Sequence, residues 1–575
     1  MKHPNIKDDD FYKKINKIYG KYKIPKKKKS FKEICMPDKY QLQLPQQFVS
    51  QFLNPTTPYK GVLVYHRIGA GKTCTAVRIG EVFKKKRNII VVVPASLKGN
   101  FRNELRSLCA GEEYITNAER KQLTELHPSD DKYKEIIKKT DDRIDKYYTI
   151  YSYNKFIEYV QNKKINLKNT LLIIDEIQNM VIEEGTYYNE LYKLIKKAPD
   201  DLRIVLLSAT PMFDKPYEIG LTINLLRPEK EFPVGADFDK KFIKTKKTKD
   251  GQYKFEMKNV DIFKSITKGY ISFFRGAPSY VFPEMKIRYV KCEMSAFQYA
   301  AYKAVLRNEE NEKNLKLKRQ TLKDLNVGLL PNNFFIGTRF VSNIVFPNKK
   351  TREEGLESLT RLKILNNLEQ YSTKYFKILN KINHSSGKIF VYSSFKEFAG
   401  LKSLIRVLEA FGYKNYSEFG EGTKRFAIWS GDENISYKEE IKSVFNRKQN
   451  LNGSKLKIIL GSSSIKEGVS FTGVRQVHIL DPYWNLPRLE QVIGRASRFC
   501  SHKDLSPEKR NVKVYIYLAT SPDETETVDE YIHKLSLRKN KLVNEFEIAI
   551  KESAVDCYLN ENANKDKDNK FICDK

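Results

Sequence analysis

The stretch GVLVYHRIGAGKTCTAVRIGEVF, residues 61–83, decides how this chain folds. A short β-branched run, GVLVY, leads into HRIGAGKT, and an amphipathic stretch follows. That order reads as buried strand, tight loop, helix. Gly69 and Gly71, with Ala70 between them, let the backbone turn sharply with its N–H groups inward. A helix starting near Lys72 adds its N-terminus, and a nest of amides at such a terminus suits an anion. Lys72 is placed to neutralise the β- and γ-phosphates of a nucleotide such as ATP, and the Thr73 hydroxyl to hold Mg²⁺. His66 stands where a spacing of four between glycines would put the first glycine. Gly69 keeps the turn nearest the phosphates flexible.

Outward from this loop, further short apolar runs alternate with helix-length amphipathic stretches. NIIVVV, YTIYSY, LLIID and IVLLSA continue the series until about Arg227-Pro228. A second series begins with KIFVYS and runs through RFAIWS, KLKIILG, VHIL and VKVYIYLA. Continuous apolar strands separated by helices indicate parallel sheets, so the fold class is α/β with two lobes. The expected organisation is a basic N-terminal arm over 1–40 and a first lobe over 41–229. A partly helical insertion or linking region over 230–385 follows, carrying a basic hairpin or loop at KFIKTKKTKDGQYK. The second lobe covers 386–520, and a helical C-terminal extension with a disordered tail covers 521–575.

The chain has 575 residues, too many for one core. Its 104 Lys+Arg against 70 Asp+Glu give a net charge of +34, which suits a polyanion partner such as nucleic acid. A solvated surface in a Lys-rich proteome is the alternative. Seven scattered cysteines without paired ligand spacing imply a reducing compartment and no structural zinc. No apolar run reaches membrane-spanning length, and the N-terminus lacks the apolar core of a secretory signal. The run Pro25 to Lys29 reads as a solvated basic segment, with a nuclear address or phosphate contact as the alternative.

Three more segments carry chemistry. LLIIDEIQN, residues 171–179, delivers Asp175 and Glu176 at the C-terminal end of a buried strand, where α/β sites lie. Asp175 can bind Mg²⁺ through water, and Glu176 can orient the water that attacks a γ-phosphate. In LLSATPM, residues 206–212, Ser208 and Thr210 can relay hydrogen bonds from the γ-phosphate to a neighbouring lobe. In QVIGRASR, residues 491–498, Gln491, Arg495 and Arg498 fall at helical spacings of four and three, so a helix would present them on one face. Two arginines together suit the spread charge of a transferring phosphoryl group. They lie more than 400 residues beyond Lys72, in the other lobe, so ATP would sit in a cleft and join the lobes.

The order GxGKT, DExQ, SAT, QxxGRxxR resembles superfamily 2 helicases and translocases. The resemblance implies two RecA-like lobes, ATP and Mg²⁺ as cofactors, and ATP hydrolysis. It implies that Gln47, beside Gln46, reads adenine, and that Gln178 hydrogen-bonds across the cleft. Pro94 and Ser96 in PASL, Ser393 and Ser394 in SSF, and Ser463 and Gly468 in SSSIKEGVS are implied contacts to the nucleic-acid backbone. Ser470 stands where the family often has Asp or Asn.

HILDPYWNLPRLEQVIGRASR places Trp484-Asn485 before the arginines, as in double-strand DNA translocases. YHRIGAGKT, ISFFRGAPSYVFPEM, IGRASRFCSHKDL and KESAVDCYLN resemble the helicase-like ATPases of large cytoplasmic DNA viruses. That group includes poxvirus nucleoside triphosphate phosphohydrolase I and the small subunit of the poxvirus early transcription factor. The resemblance covers about residues 40–560. It implies a translocase on duplex DNA in viral transcription, in the host cytoplasm with the virion as an open second location, and with viral RNA polymerase or a transcription-factor subunit as partner. A strand-separating helicase outside transcription and a non-catalytic assembly subunit are the alternatives. His66, His478 and His502 read as structural, Cys500 as a packed small residue, and the pairs Phe273-Phe274 and Phe334-Phe335 as core.

Overall fold

A computed structural model describes residues 3–27, 29–67, 69–126, 130–182, 185–247, 253–312, 334–466, 469–565 and 571–574. The chain divides into two compact units. The first holds Met1–Thr248, Lys254–Pro278 and Leu542–Lys575, and the second holds Lys249–Tyr253 and Ser279–Lys541.

In the first unit, β1 (Gly61–His66), β2 (Asn88–Val93), β3 (Tyr148–Ser152), β4 (Thr170–Ile174) and β5 (Arg203–Ser208) follow the apolar runs of the sequence. A two-stranded sheet of β6 (Ile243–Lys247) and β7 (Tyr253–Met257) comes next, then β8 (Ile271–Phe274). The main sheet has the order β3-β2-β4-β5-β1-β8 and every pairing is parallel. Leu63 sits in register between Leu206 and Ile271. β1 and β4 are buried along their whole length, which explains runs without polar alternation. Helix α1 (Leu44–Phe52) precedes β1, and α2 (Lys72–Phe83) follows it.

The N-terminal arm is folded rather than loose. Helix-spaced Phe11 and Ile15 are fully buried, in the cluster that holds Phe52 and Tyr59. The stretch 230–385 is divided between the units. Its first part ends in β8, an edge strand of the first sheet, and the rest belongs to the second unit. The tip of the basic hairpin, 248–252, lies outside the described residues.

The second unit carries β9 (Glu284–Glu293), β10 (Lys388–Tyr392), β11 (Lys414–Asn415), β12 (Arg425–Trp429), β13 (Ile458–Gly461), β14 (Val474–Ile479) and β15 (Asn511–Thr520). Its sheet has the order β11-β12-β13-β10-β14-β15-β9, again parallel throughout. Helix α3 (Leu486–Ile493) follows β14, and α4 (Val528–Glu552) follows β15. Of the expected disordered tail, Glu561–Asn564 is helical and 566–570 lies outside the described residues.

The reading of reduced cysteines is corrected. Cys74 is bonded to Cys109 and Cys557 to Cys573, at Cα separations of 5.8 and 5.6 Å. Packing brings each pair within bridging reach, which spacing along the chain does not reveal. Phe273, Phe274, Phe334 and Phe335 are core residues, and His66, His478 and His502 are buried. Among the described residues, no helix is long and apolar enough to cross a membrane.

Candidate functional site

In the first unit, the loop after β1 turns through Gly69 and Gly71, both with left-handed backbone (φ 83° and 73°). Glycine takes that conformation without strain. Gly71 caps α2, so Lys72 and Thr73 open the helix. Ala70 is buried, and its N–H bonds back to Arg67 O.

Lys72 Nζ lies 2.6 Å from Glu176 Oε1 and 3.4 Å from Asp175 Oδ1. Burial opposes the lysine's charge, yet the two carboxylates outweigh it and its pKa lies above the ordinary value. Burial likewise raises the Asp175 carboxyl, against the pull of Lys72. Glu176 has a left-handed backbone, φ 51°. The Tyr153 hydroxyl donates to the carbonyls of both acidic residues and secures that turn.

From Glu176 the network continues. Gln178 Nε2 donates to Glu176 Oε2, Ser208 Oγ donates to Gln178 Oε1 at 2.7 Å, and Thr210 N donates to Ser208 Oγ at 3.0 Å. Lys72, Asp175, Glu176, Gln178, Ser208 and Thr210 therefore form one connected group at the C-terminal ends of β1, β4 and β5. Pro94 and Ser96 follow β2. Pro94 is buried and its carbonyl accepts from Leu97 N, while Ser96 is exposed.

In the second unit, Ser393 is buried after β10. Its hydroxyl donates to Asp481 Oδ1 at 2.6 Å, and Ser394 N donates to Asp481 Oδ2 at 3.1 Å. Ser463 is half-buried in a short 3₁₀ turn after β13, and Gly468 lies outside the described residues.

One expectation about the arginines is corrected. They do not share a helix face with Gln491, because α3 ends at Ile493 with Gly494 as its cap. Gly is a poor helix residue, and Arg495 N and Ala496 N bond to Val492 O and Ile493 O in a tightened last turn. Arg495 and Arg498 lie in the turns beyond. Arg495 O accepts from Phe471 N at 2.8 Å, and Arg498 Nη2 donates to Val469 O at 3.4 Å. Both arginines are thus tied to segment 469–471, and Gln491 remains on the helix, half-buried.

Residues 27–354 match the SNF2-related domain, and residues 373–500 match the helicase conserved C-terminal domain. The chain belongs to the SNF2-related helicase-like ATPases of superfamily 2. It is 53% identical over 98% of its length, and 97% of the relative's, to R563 of Acanthamoeba polyphaga mimivirus, which carries the name of an ATP-dependent RNA helicase. It is 28% identical to helicase 087L of Invertebrate iridescent virus 3, over 92% of this chain and 54% of the relative. It is 26% identical to the African swine fever virus protein named termination factor NPH-I homolog, over 87% and 77%.

A helicase-like ATPase hydrolyses ATP and binds nucleic acid, and here two features escaped the motif reading. The first concerns the glutamines of α1. Gln47 Nε2 donates to Leu42 O at 3.0 Å, whereas buried Gln46 reaches the loop after β1, donating to Gly71 O at 3.3 Å. Adjacent identical residues point to different sides of a helix, and only the packing distinguishes them. The second is buried Arg339. Its guanidinium lies 4.7 Å from the Phe395 ring and 5.1 Å from Trp484 in this helicase-like ATPase. Trp484 also stacks on Tyr483 at 4.3 Å. The two halves of this aromatic–cation stack come from distant segments, so no motif contains it.

Proposed function

We propose that this helicase-like ATPase is a translocase on duplex DNA that serves viral transcription. The observation that carries the reading is the connected group from Lys72 through Glu176 and Gln178 to Ser208 and Thr210. It supplies a phosphate-binding cation, a base and a route for signalling the state of the base. Trp484-Asn485 ahead of the arginine turn favours translocation over strand separation. Asn485 caps α3 by accepting from Arg488 N, which makes the start of the arginine-bearing segment rigid. The relative named as a termination factor homolog favours a role in transcript elongation or release. That role implies the host cytoplasm as its compartment, with viral RNA polymerase or a transcription-factor subunit as partner.

In this mechanism Lys72 leaves Glu176 for the β/γ-phosphates, which the amides of Gly69 and Gly71 also hold, and the Ala70 N–H joins them by exchanging Arg67 O for phosphate. The adenine is read by Gln46 or Gln47. Thr73 and Asp175 offer hard oxygen donors beside the loop, a set that fits Mg²⁺. The ion, when bound, neutralises phosphate charge and polarises the γ-phosphoryl group. Glu176, released from Lys72, orients the attacking water and accepts its proton. In the second unit, Gln491, Arg495 and Arg498 are the side chains whose chemistry suits the spread charge of a transferring phosphoryl group. Gln178, Ser208 and Thr210 relay the change at Glu176 within the first unit. The nucleic-acid contacts of this reading are Pro94 and Ser96 in the first unit and Ser393, Ser394, Ser463 and Gly468 in the second, where Ser393 acts by holding the Asp481 turn.

ATPase rates measured in parallel with no nucleic acid, single-stranded DNA, double-stranded DNA and RNA test the proposal. Double-stranded DNA gives the largest stimulation, and added salt weakens its binding steeply. Stimulation by RNA alone, or unwinding of forked duplexes at the rate of ATP turnover, overturns it.

A further inference from the structure

A buried line of hydrogen bonds runs from the C-terminal segment to the phosphate loop, entirely within the first unit. Asp556 is fully buried. Its Oδ2 accepts from Ser272 Oγ at 2.6 Å and Asn560 Nδ2 at 2.9 Å, and its Oδ1 accepts from Phe273 N at 2.9 Å. Ser272 Oγ lies 3.0 Å from His66 Nε2. His66 Nδ1 lies 3.4 Å from Thr75 Oγ1, which is also 3.2 Å from Gly71 O.

The chemistry of these groups sets the direction of the line. Burial pushes the His66 pKa down to about 3, so the ring is neutral and carries one N–H. Burial lifts the Asp556 carboxyl only to about 6, so it is an acceptor at neutral pH. Ser272 therefore gives its proton to Asp556, and its oxygen accepts from His66 Nε2–H. That leaves Nδ1 as an acceptor facing Thr75, whose one proton is shared with the Gly71 carbonyl.

The same C-terminal segment holds the loop by a second route. Asn560 and Asn564 donate to Phe273 O at 3.0 and 3.1 Å, and Asn564 Oδ1 accepts from Arg275 N at 2.8 Å. Phe274 O accepts from Arg67 N at 3.1 Å. Gly276 then lies so close that a Cβ there would sit 3.2 Å from Ala70 Cβ.

We propose that Asp556 is a positioning residue for ATP binding: through Ser272 and His66 it fixes the imidazole tautomer and thereby sets Thr75 and the Gly71 carbonyl at the base of the phosphate loop. The inference rests on reading residues 66–73 as that loop. His66 then stands at the first-glycine position because it connects the loop to the C-terminal segment, a connection glycine could not make.

The test uses the full chain and two readouts, ATP affinity by titration and the His66 tautomer by nitrogen NMR of histidine-labelled protein. An Asn at 556 can donate to Ser272, which reverses the line. Asp556→Asn moves the His66 proton from Nε2 to Nδ1, and both Asp556→Asn and Ser272→Ala weaken ATP binding about three- to ten-fold. The double variant binds no more weakly than the weaker single one, because both changes break one line. Turnover at saturating ATP stays within about two-fold, since the line acts on binding. An unchanged tautomer, additive losses, or parental ATP affinity in folded Ser272→Ala overturns the proposal. Lys72→Ala separates it from the underlying reading. If that variant binds ATP as tightly as the parent, the phosphate-loop assignment fails whatever the tautomer does.

Discussion

Lys72 Nζ and Glu176 Oε1 stand 2.6 Å apart, although 104 residues separate them in the chain. The cation that would hold phosphate and the carboxylate that would activate water neutralise each other before nucleotide arrives. Binding of a triphosphate must exchange one anionic partner of Lys72 for another, and the exchange frees Glu176 only when the phosphates are seated.

Removing either member of that pair has a different expected outcome. Lys72→Ala abolishes ATP binding measured by titration. Glu176→Gln keeps ATP binding and lowers turnover by roughly 10²- to 10⁴-fold, the range of a lost general base. Near-normal turnover in Glu176→Gln would show that another group activates the water.

Ser208→Ala leaves Gln178 Oε1 and Thr210 N without the hydroxyl that joins them. Loss of this donor to the buried Gln178 oxygen costs about 1–3 kcal/mol. The variant melts at lower temperature, and nucleic acid stimulates its ATPase less than that of the parent. Equal stimulation would remove Ser208 from the coupling route.

Gln46→Ala and Gln47→Ala discriminate between neighbouring candidates for the adenine contact. Because Gln46 is buried against Gly71, Gln46→Ala raises KM for ATP and erases discrimination between ATP and GTP by about tenfold, a loss of ~1.4 kcal/mol. Gln47→Ala leaves both unchanged. The reverse pattern would assign the adenine contact to Gln47.

Lys374 and Asp529 form a salt bridge of 2.6 Å in the second unit, with side chains 1% and 2% exposed. Asn343 Oδ1 and Leu480 O also accept from Lys374, and Asp529 accepts from Ala519 N. Asp529→Ala strands a buried ammonium and destabilises this unit by about 3–5 kcal/mol. Denaturant unfolding followed by tryptophan fluorescence reads the loss, since both tryptophans, Trp429 and Trp484, lie in this unit. An unchanged midpoint would rule out the pair as a stabilising contact.

His478 makes stability depend on acid. Burial lowers its pKa from 6.5 to about 3. Below pH 6.5 the unfolded chain binds a proton that the folded chain refuses, so stability falls as pH drops towards 3, by at most ~1.4 kcal/mol per pH unit. His478→Gln removes this contribution and flattens the acid limb of urea midpoints between pH 7 and 5. Identical limbs in parent and variant would show that the group does not titrate this way.

The two parallel sheets were legible because buried parallel strands have no polar alternation and the helices between them are long. The placement of Asp175, Glu176, Ser208 and Thr210 was legible because each lies at or just past the C-terminal end of such a strand, and parallel strands bring those ends to one edge. Other features were not. β8 and β9 sit in a stretch whose composition marks no boundary, and Gly494 ends a helix that residue spacing would continue through Arg498.

The amino-acid sequence by itself determined the α/β class and the family, since these depend on residue types at short, regular spacings. The tertiary structure alone decided which glutamine meets Gly71, which cysteines pair, and how Asp556 reaches His66. Each of those depends on side chains from distant segments meeting in a packed interior. The distances there are set by the sum of all the packing, and no local pattern encodes them.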